Sequence, residues 1–526
     1  MGVNQNQPFQ PSFDSSLRRG SLRLDWKLLV LTVVFVLCIS PTIVSYAPYS
    51  FQWDDSDYLW RSIALSRAFW SGNGHEMRVA MVSVRPPFMT FLGLPWGPLT
   101  SWNAAGRCFI TLAAFTALSV ACCLFLLLRI GLQPLYLVIA AVCVFAALGP
   151  YPAGSPLHSE ATAFMADSLF AWTAFAAVLL IPYEASTTTS STTGALVRGI
   201  FWATILLAAA MTKISSFYFI VLIVPSLFAI RMRHSGLRST FVALISLAMC
   251  SVPAAIYYLR YGQTVLKNGL AASFGHDAPF YYIPLWKFLS DIVRQSPGLL
   301  LSVMVSVAGI VYLVLKRRDA AWSINVLPLL IMVGYGTISL ASSNRQIRYV
   351  FPAIISLPFL IGVLLSAKTY VFSRRHAIIA AIFALCCMVV AAVPMLHRAN
   401  RQSIAKSELV LAQAIESNAK HVLLATDSTS LNYSLIRVAM EVSPLRPSVQ
   451  LIGLDWRAAA GLPIEGDFHD IRESDLVVFQ NTEALDSPVT NQRVAEYEQY
   501  TRQRFGDAPI TAVDGIRMYS LGHRLP

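Results

Sequence analysis

Three aspartates fall within four positions in the run Trp53-Asp54-Asp55-Ser56-Asp57-Tyr58, directly after the first long apolar segment. A carboxylate at the edge of a membrane is costly unless it faces water or a ligand. Capping a helix needs only one acid, and three like charges repel one another. The cluster therefore reads as holding a general base or a group that binds a metal. The plainer alternative is that Asp54 or Asp55 caps a surface helix starting near Asp57. A second acidic group is His158, Glu160 and Asp167. Glu160 and Asp167 are seven apart, which puts them on one face of a helix. A helix dipole accounts for Glu160 but poorly for Asp167, which lies a turn or more inside an apolar run. The basic counterparts are Arg85 in Arg85-Pro86-Pro87-Phe88, Lys213 after Thr212, and Arg345 with Arg348 before Tyr349. Arginine forks onto phosphate oxygens and lysine offers a point charge, so the set suits a lipid phosphate. Ion pairing with the acids, or snorkelling at helix ends, would use the same residues.

The elements that must position these groups are membrane helices. Hydrophobic residues make up 56% of the 526 positions and charged residues 13%, too apolar a balance for an ordinary soluble domain. Eleven apolar segments read at 28–47, 108–128, 133–149, 163–182, 198–211, 214–230, 239–258, 298–315, 322–341, 350–367 and 377–395, each compared with the roughly 20 residues that cross the hydrocarbon. The two short ones, 198–211 and 214–230, read as a bent hairpin or a re-entrant pair. The first has no cleavage pattern after it and reads as a signal anchor. Long loops at 48–107 and 259–297 separate spans on one side, and the first should hold surface helices such as Leu59 to Trp70. Ala185 to Gly194 is a Ser/Thr tract, read as a flexible linker.

From His397 onward the pattern changes. A helix is expected over Ala399–Lys420, followed by short apolar runs at His421–Ala425, Val449–Ile452 and Asp475–Phe479 that read as buried strands. The chain is thus expected to be an α-helical polytopic membrane protein of about 11 spans with a small extramembrane α/β domain. Its divisions are 1–27 in the cytoplasm, 28–396 in the membrane and 397–526 outside.

Charge supports that orientation. The net charge of +12 is uneven: residues 397–526 carry 13 Lys+Arg against 16 Asp+Glu, and the first 396 carry 27 against 12. Basic residues crowd the short loops on the side of the N-terminus, among them Arg18, Arg19, Arg129, Arg198, Arg231 and Arg238, which the positive-inside rule assigns to the cytoplasm. The basic excess suits membrane lipid and phosphate rather than nucleic acid. All eight cysteines lie in or beside apolar segments, with no disulfide framework or zinc spacing. Tyr281, Tyr282 and Trp286, with His276-Asp277, could stack on a sugar or form an interfacial belt. Asn432-Tyr433-Ser434 fits a glycosylation sequon of the kind that also arises by chance.

Taken in order, these motifs resemble the GT-C glycosyltransferases, in the branch that holds protein O-mannosyltransferases and the bacterial lipid A aminoarabinose transferase. The points of resemblance are Asp54-Asp55-Ser56-Asp57-Tyr58 after the first span, with Asp where Glu is more usual, and Arg85-Pro86-Pro87, with Arg where Lys is frequent. Asp167 opens the fourth span, Thr212-Lys213 follows a short one, and Arg348-Tyr349 with Pro352 opens a late one. The likeness runs over 25–395. It implies an inverting glycosyltransferase of the bacterial inner membrane that takes a sugar from a polyprenyl phosphate on the non-cytoplasmic side. In that scheme Asp54 is the base, Asp55 and Asp167 orient groups around it, and Arg85, Lys213, Arg345 and Arg348 hold the phosphate. His158, Glu160, Asp57, Tyr58 and Tyr349 would line the substrate. The acceptor is a glycan, a glycolipid or a protein. No cofactor or metal is expected, with a divalent cation as the alternative. The rival is a transporter or flippase of lipid-linked sugars, for which internal repeats and acids near the bilayer middle would be expected; the chain has no evident repeat and its acids lie near one surface.

Overall fold

A computed structural model describes residues 53–82, 85–148, 166–187, 191–274, 284–295, 297–316, 324–342, 347–366, 400–426, 428, 431–443, 449–454, 463–481, 493–506 and 509–520. The apolar segments 28–47 and 377–395 lie outside these residues. The chain begins with α1 (Trp53–Trp70) and α2 (Gly74–Met81), then a 3-10 segment over Pro87–Trp96. The apolar helices follow: α3 (Asn103–Arg129), α4 (Pro134–Leu148), α5 (Ala166–Ser186), α6 (Thr192–Thr212), α7 (Ser216–Phe274), α9 (Pro297–Lys316), α10 (Val326–Ala341) and α11 (Ile347–Leu365), with the short α8 (Leu285–Gln295) before α9. Among the described residues four helical stretches are long and apolar enough to cross a membrane: Gly106–Arg129, Leu169–Ser186, Thr192–Thr212 and Ser216–Lys267. The chain is a multi-pass membrane protein.

The long α7 is two helices. Gly236 has φ 79°, a left-handed value that glycine adopts without steric cost. Arg231 Nε reaches the carbonyl of Ser239 at 3.4 Å and its Nη2 reaches Ser239 Oγ at 2.8 Å. In a straight helix eight residues rise about 12 Å, so the chain must turn back at Gly236. The separate segments 214–230 and 239–258 are thus both present. The segment 198–211 is longer than its apolar run suggests: Ser191 caps α6 by accepting from the Gly194 N–H at 3.1 Å, so the end of the Ser/Thr tract is helical rather than linker. The loop 259–297 is also more structured than expected, since α7 continues to Phe274 and α8 follows.

At the centre stands α5. From Leu169 to Ile181 every described residue is buried, as befits a helix that is apolar all round. It packs against α3, α6, α7, α10 and α11, and the main core gathers Phe170, Phe175, Trp202, Phe219, Tyr335 and Phe351 around it. The helix α1 lies on a second apolar cluster, in which Tyr58, Leu59 and Ile63 meet Met89 and Leu92 of the 3-10 segment and Ala166 and Leu169 of α5. Ser62 Oγ donates to Met89 O at 2.5 Å and Ser66 Oγ to Gly93 O at 3.1 Å, fixing α1 on that segment.

The C-terminal part holds α12 (Asn400–Glu416), β1 (His421–Leu424), α13 (Tyr433–Val442), β2 (Gln450–Gly453), α14 (Ile464–Glu473), β3 (Leu476–Gln480), α15 (Val494–Phe505), β4 (Thr511–Val513) and β5 (Ile516–Ser520). The sheet order is β2-β1-β3-β5-β4, parallel over the first three and antiparallel over the rest. The three expected strands are there within a residue or so. The β4–β5 hairpin is an addition, and its turn, Asp514 (φ 51°) and Gly515 (φ 76°), is the two-residue Asp-Gly hairpin signal.

Candidate functional site

The acid-bearing helix starts at Trp53, so Asp54 and Asp55 occupy its first turn instead of capping a helix that begins near Asp57. A first turn is where the helix dipole favours carboxylates. The side chains of Asp54 and Asp55 fall outside the described part of the structure. Asp57 is tied down: its Oδ1 accepts from Arg61 Nε and from Trp60 Nε1, each at 3.1 Å, and its Oδ2 lies 3.7 Å from Arg85 Nη1. Arg61 reaches on to the carbonyl of Val82 at 2.6 Å, which draws the chain leading to Arg85 against α1. Arg85 in turn covers the ring of buried Tyr58, its guanidinium carbon 5.0 Å from the centroid. Asp57, Tyr58 and Arg85 therefore form one group.

A second group forms where α5 begins, α6 ends and α11 begins. Asp167, buried in the first turn of α5, pairs with Lys213 at the C-terminal cap of α6. The Lys213 ammonium also sits 4.5 Å from the ring centroid of Tyr349 and 5.8 Å from that of Phe170. Buried Tyr335 faces the same ion pair. Arg348 precedes Tyr349 in the first turn of α11, with its side chain outside the described part. His158, Glu160, Arg345, His276, Asp277, Tyr281 and Tyr282 lie outside the described residues. Trp286 is exposed on α8.

Two adjacent tyrosines of α7 join the groups. Tyr257 donates its hydroxyl to the Arg85 carbonyl at 3.0 Å, and Tyr258 donates to the carbonyl of Ala210, three residues before Lys213. Their rings are 5.3 Å apart. One pair of side chains thus holds the Arg85 backbone and the last turn of the helix that ends before Lys213. Sequence reasoning missed this pair, because a Tyr-Tyr at the end of an apolar segment looks like an interfacial belt. It missed the roles of Trp60 and Arg61 for another reason, having read that helix only for its amphipathic spacing.

Each described cation of the expected phosphate set stands against a carboxylate: Arg85 near Asp57, Lys213 on Asp167. A carboxylate thus stands beside each of these cations before any ligand arrives. The ion-pair alternative raised by the sequence is thus realised. Among the described residues, no three His, Cys, Asp or Glu side chains gather as metal ligands.

A third charged group lies at the other end of α5. Glu184 accepts from Arg231 Nη1 at 2.5 Å and lies 3.7 Å from Arg198 Nε. Arg231 also has the Trp202 ring at 5.8 Å, and Arg198 covers Tyr183 at 4.6 Å. Arg198 and Arg231 were expected as loop charges; here both turn inward, and Arg231 is fully buried.

The C-terminal domain meets α1 directly. Leu435, Val438 and Val442 of α13 enter the apolar cluster of Tyr58, Leu59 and Ile63. Glu441 pairs with Arg67, and Glu408 accepts from Trp102 Nε1 at 2.8 Å. The sequon is closed: Asn432 is fully buried and caps α13, its Oδ1 accepting from the Leu435 N–H at 2.8 Å.

The fold is shared with solved structures of ArnT from Cupriavidus metallidurans. The structure bound to undecaprenyl phosphate aligns with a TM-score of 0.56 at 11% identity over 93% of this chain and 97% of its own. The apo structure aligns with a TM-score of 0.56 at 12% identity over 95% of this chain and 98% of its own. At that identity the likeness is one of fold. No protein-family model and no curated protein matches the sequence.

Proposed function

We propose that this chain is an integral-membrane, inverting glycosyltransferase that moves a sugar from a polyprenyl-phosphate donor to an acceptor hydroxyl on the non-cytoplasmic side of the bacterial inner membrane. One observation carries the reading. Two cations from distant stretches, Arg85 and Lys213, each stand beside a carboxylate, and one tyrosine pair bonds the Arg85 carbonyl and the last turn of the helix before Lys213, in a fold shared with a protein solved bound to undecaprenyl phosphate.

In the proposed reaction Arg85, Lys213, Arg345 and Arg348 hold the donor phosphate and stabilise it as it leaves. Asp54 takes the proton of the acceptor hydroxyl, whose oxygen attacks the anomeric carbon from the face opposite the phosphate, so the configuration inverts. Such a base contributes about 10²–10⁴-fold. Asp55 orients Asp54 or the acceptor. Asp167 fixes Lys213 and orients the sugar with Asp57, Tyr58, His158, Glu160 and Tyr349. The phosphate is the only leaving group, and the cations serve in place of a metal. The reading includes eleven spans, an N-terminal segment over 1–27 in the cytoplasm, a membrane domain over 28–396 and an outside domain over 397–526. The acceptor is a glycan, a glycolipid or a protein.

The test is incubation of the purified protein in detergent or nanodiscs with a panel of polyprenyl-phosphate sugars. One donor should be consumed and free polyprenyl phosphate released. Movement of intact donor across a proteoliposome without cleavage would instead support a flippase and overturn the reading. A reporter fused after Pro526 should read outside; a cytoplasmic signal would overturn the span count.

A further inference from the structure

The role of the C-terminal domain follows from how it holds α1. On α1, Trp60 and Arg67 are seven residues apart and so lie on one face; on α13, Arg437 and Glu441 are four apart and do the same. The pairs meet in the same order. Arg67 binds Glu441 through its carboxylate and also donates to its carbonyl at 3.3 Å. The Arg437 guanidinium stands 6.0 Å from the Trp60 ring centroid. It is steered there by Tyr433, whose hydroxyl accepts from Arg437 Nε at 3.1 Å and Nη2 at 3.0 Å. Trp60 in turn donates its indole N–H to Asp57. Two contacts set at different heights fix rotation and translation of one helix against the other, and the apolar residues between them fill the seam. The far face of α1 is held by Ser62 and Ser66 on the 3-10 segment. The acid-bearing first turn lies at the end of α1 nearest Trp60.

We infer that the C-terminal domain is a working part of the site: α13 sets the register of α1, with Glu441 latching Arg67 and Arg437 seating Trp60, so that Trp60, Arg437 and Glu441 are positioning residues for the acids at the start of α1. The inference rests on the reading of α1 as the helix that carries the base. Misplacement of a reacting group by about 1 Å can cost about 100-fold in rate, so loss of register lowers turnover while leaving donor capture by Arg85 and Lys213 nearly intact.

Two measurements test it on the full-length protein. The first is kinetic. Arg437→Gln and Glu441→Ala should each lower kcat by about tenfold or more while the donor KM moves by less than about threefold. Arg437→Lys, which keeps a cation over the indole, should recover most of the rate. Trp60→Phe, which keeps an aromatic ring but loses the indole N–H on Asp57 and part of the ring face, should also lower kcat. The exchanged pair Arg67→Glu with Glu441→Arg should outperform either single change. An unchanged kcat in Arg437→Gln and Glu441→Ala proteins that elute and melt like the parent would overturn the inference. So would a rate loss that Arg437→Lys fails to recover. The second measurement is hydrogen exchange over residues 53–70, which needs no turnover. Glu441→Ala should speed exchange there by about tenfold while the strands of the C-terminal sheet stay protected. Unchanged protection of 53–70 overturns the inference. If the parent consumes no donor in the panel, the reading of the site fails instead, and exchange alone still decides whether α13 governs α1.

Discussion

The two ends of α5 carry the same kinds of residue and use them differently. At one end Asp167 pairs with Lys213, near the Asp57–Arg85 pair; at the other Glu184 meets Arg231 and Arg198. The two acids of α5 are 17 residues apart, about 25 Å along the helix. Exposure separates them. Lys213 and Asp167 keep 17% and 7% of their side-chain surface and Arg85 and Asp57 28% and 19%, whereas Arg231 and Glu184 keep 0% and 1%, with Arg198 at 12%. A charge sealed on all sides has no route to a ligand, and its partner serves only to offset desolvation. A charge at a half-open surface can trade its partner for a substrate. Burial of an ion pair is therefore not a functional signal by itself.

The largest expected effect belongs to the open end. Asp54→Asn should lower sugar transfer by about 10²–10⁴-fold without altering insertion or folding; near-parental turnover would remove Asp54 as the base. Next comes the sealed end. Glu184→Ala strands buried Arg231 and should cost about 3–5 kcal/mol of stability, seen as a lower melting temperature in detergent. Replacing the two fully buried members together, Glu184→Leu with Arg231→Met, should be neutral or stabilising, and transfer should survive in it. Loss of activity in that folded double variant would erase the contrast between the two ends. Smaller again is Arg85→Ala, which removes a charged hydrogen-bonding group and should raise the donor KM by about 10–100-fold, with little effect on the acceptor KM. The smallest is Asn432→Ala. Loss of the α13 cap should cost about 1 kcal/mol of stability, and mass spectrometry of the parent should find no glycan on Asn432, since its amide is buried.

Much of this was legible in the chain. Apolar runs read as helices because a membrane segment must satisfy its backbone internally, and nine of the eleven segments coincide with described helices or, for 214–230 and 239–258, with the two halves of α7. Three strands of the tail were visible as short apolar runs. The β4–β5 hairpin was passed over although Asp514-Gly515 announces it. The aspartates of α1, Arg85, Asp167 and Lys213 were picked out because charge in so apolar a setting needs a reason, and Tyr349 through the family resemblance.

What the sequence determined by itself is the material: membrane helices, a small α/β tail, and charges placed where burial or a ligand must account for them. Residue type and spacing carry that information, since hydrophobic periodicity and the cost of desolvation act locally. The tertiary structure alone decided the pairing. Asp167 found Lys213 across 46 residues, Tyr257 reached the Arg85 carbonyl across 172, and Arg67 met Glu441 across 374. It also turned Arg198 and Arg231 inward, away from the loop surface that charge counting gave them. Such contacts depend on which helices lie side by side, and nothing in the local pattern of either partner states that.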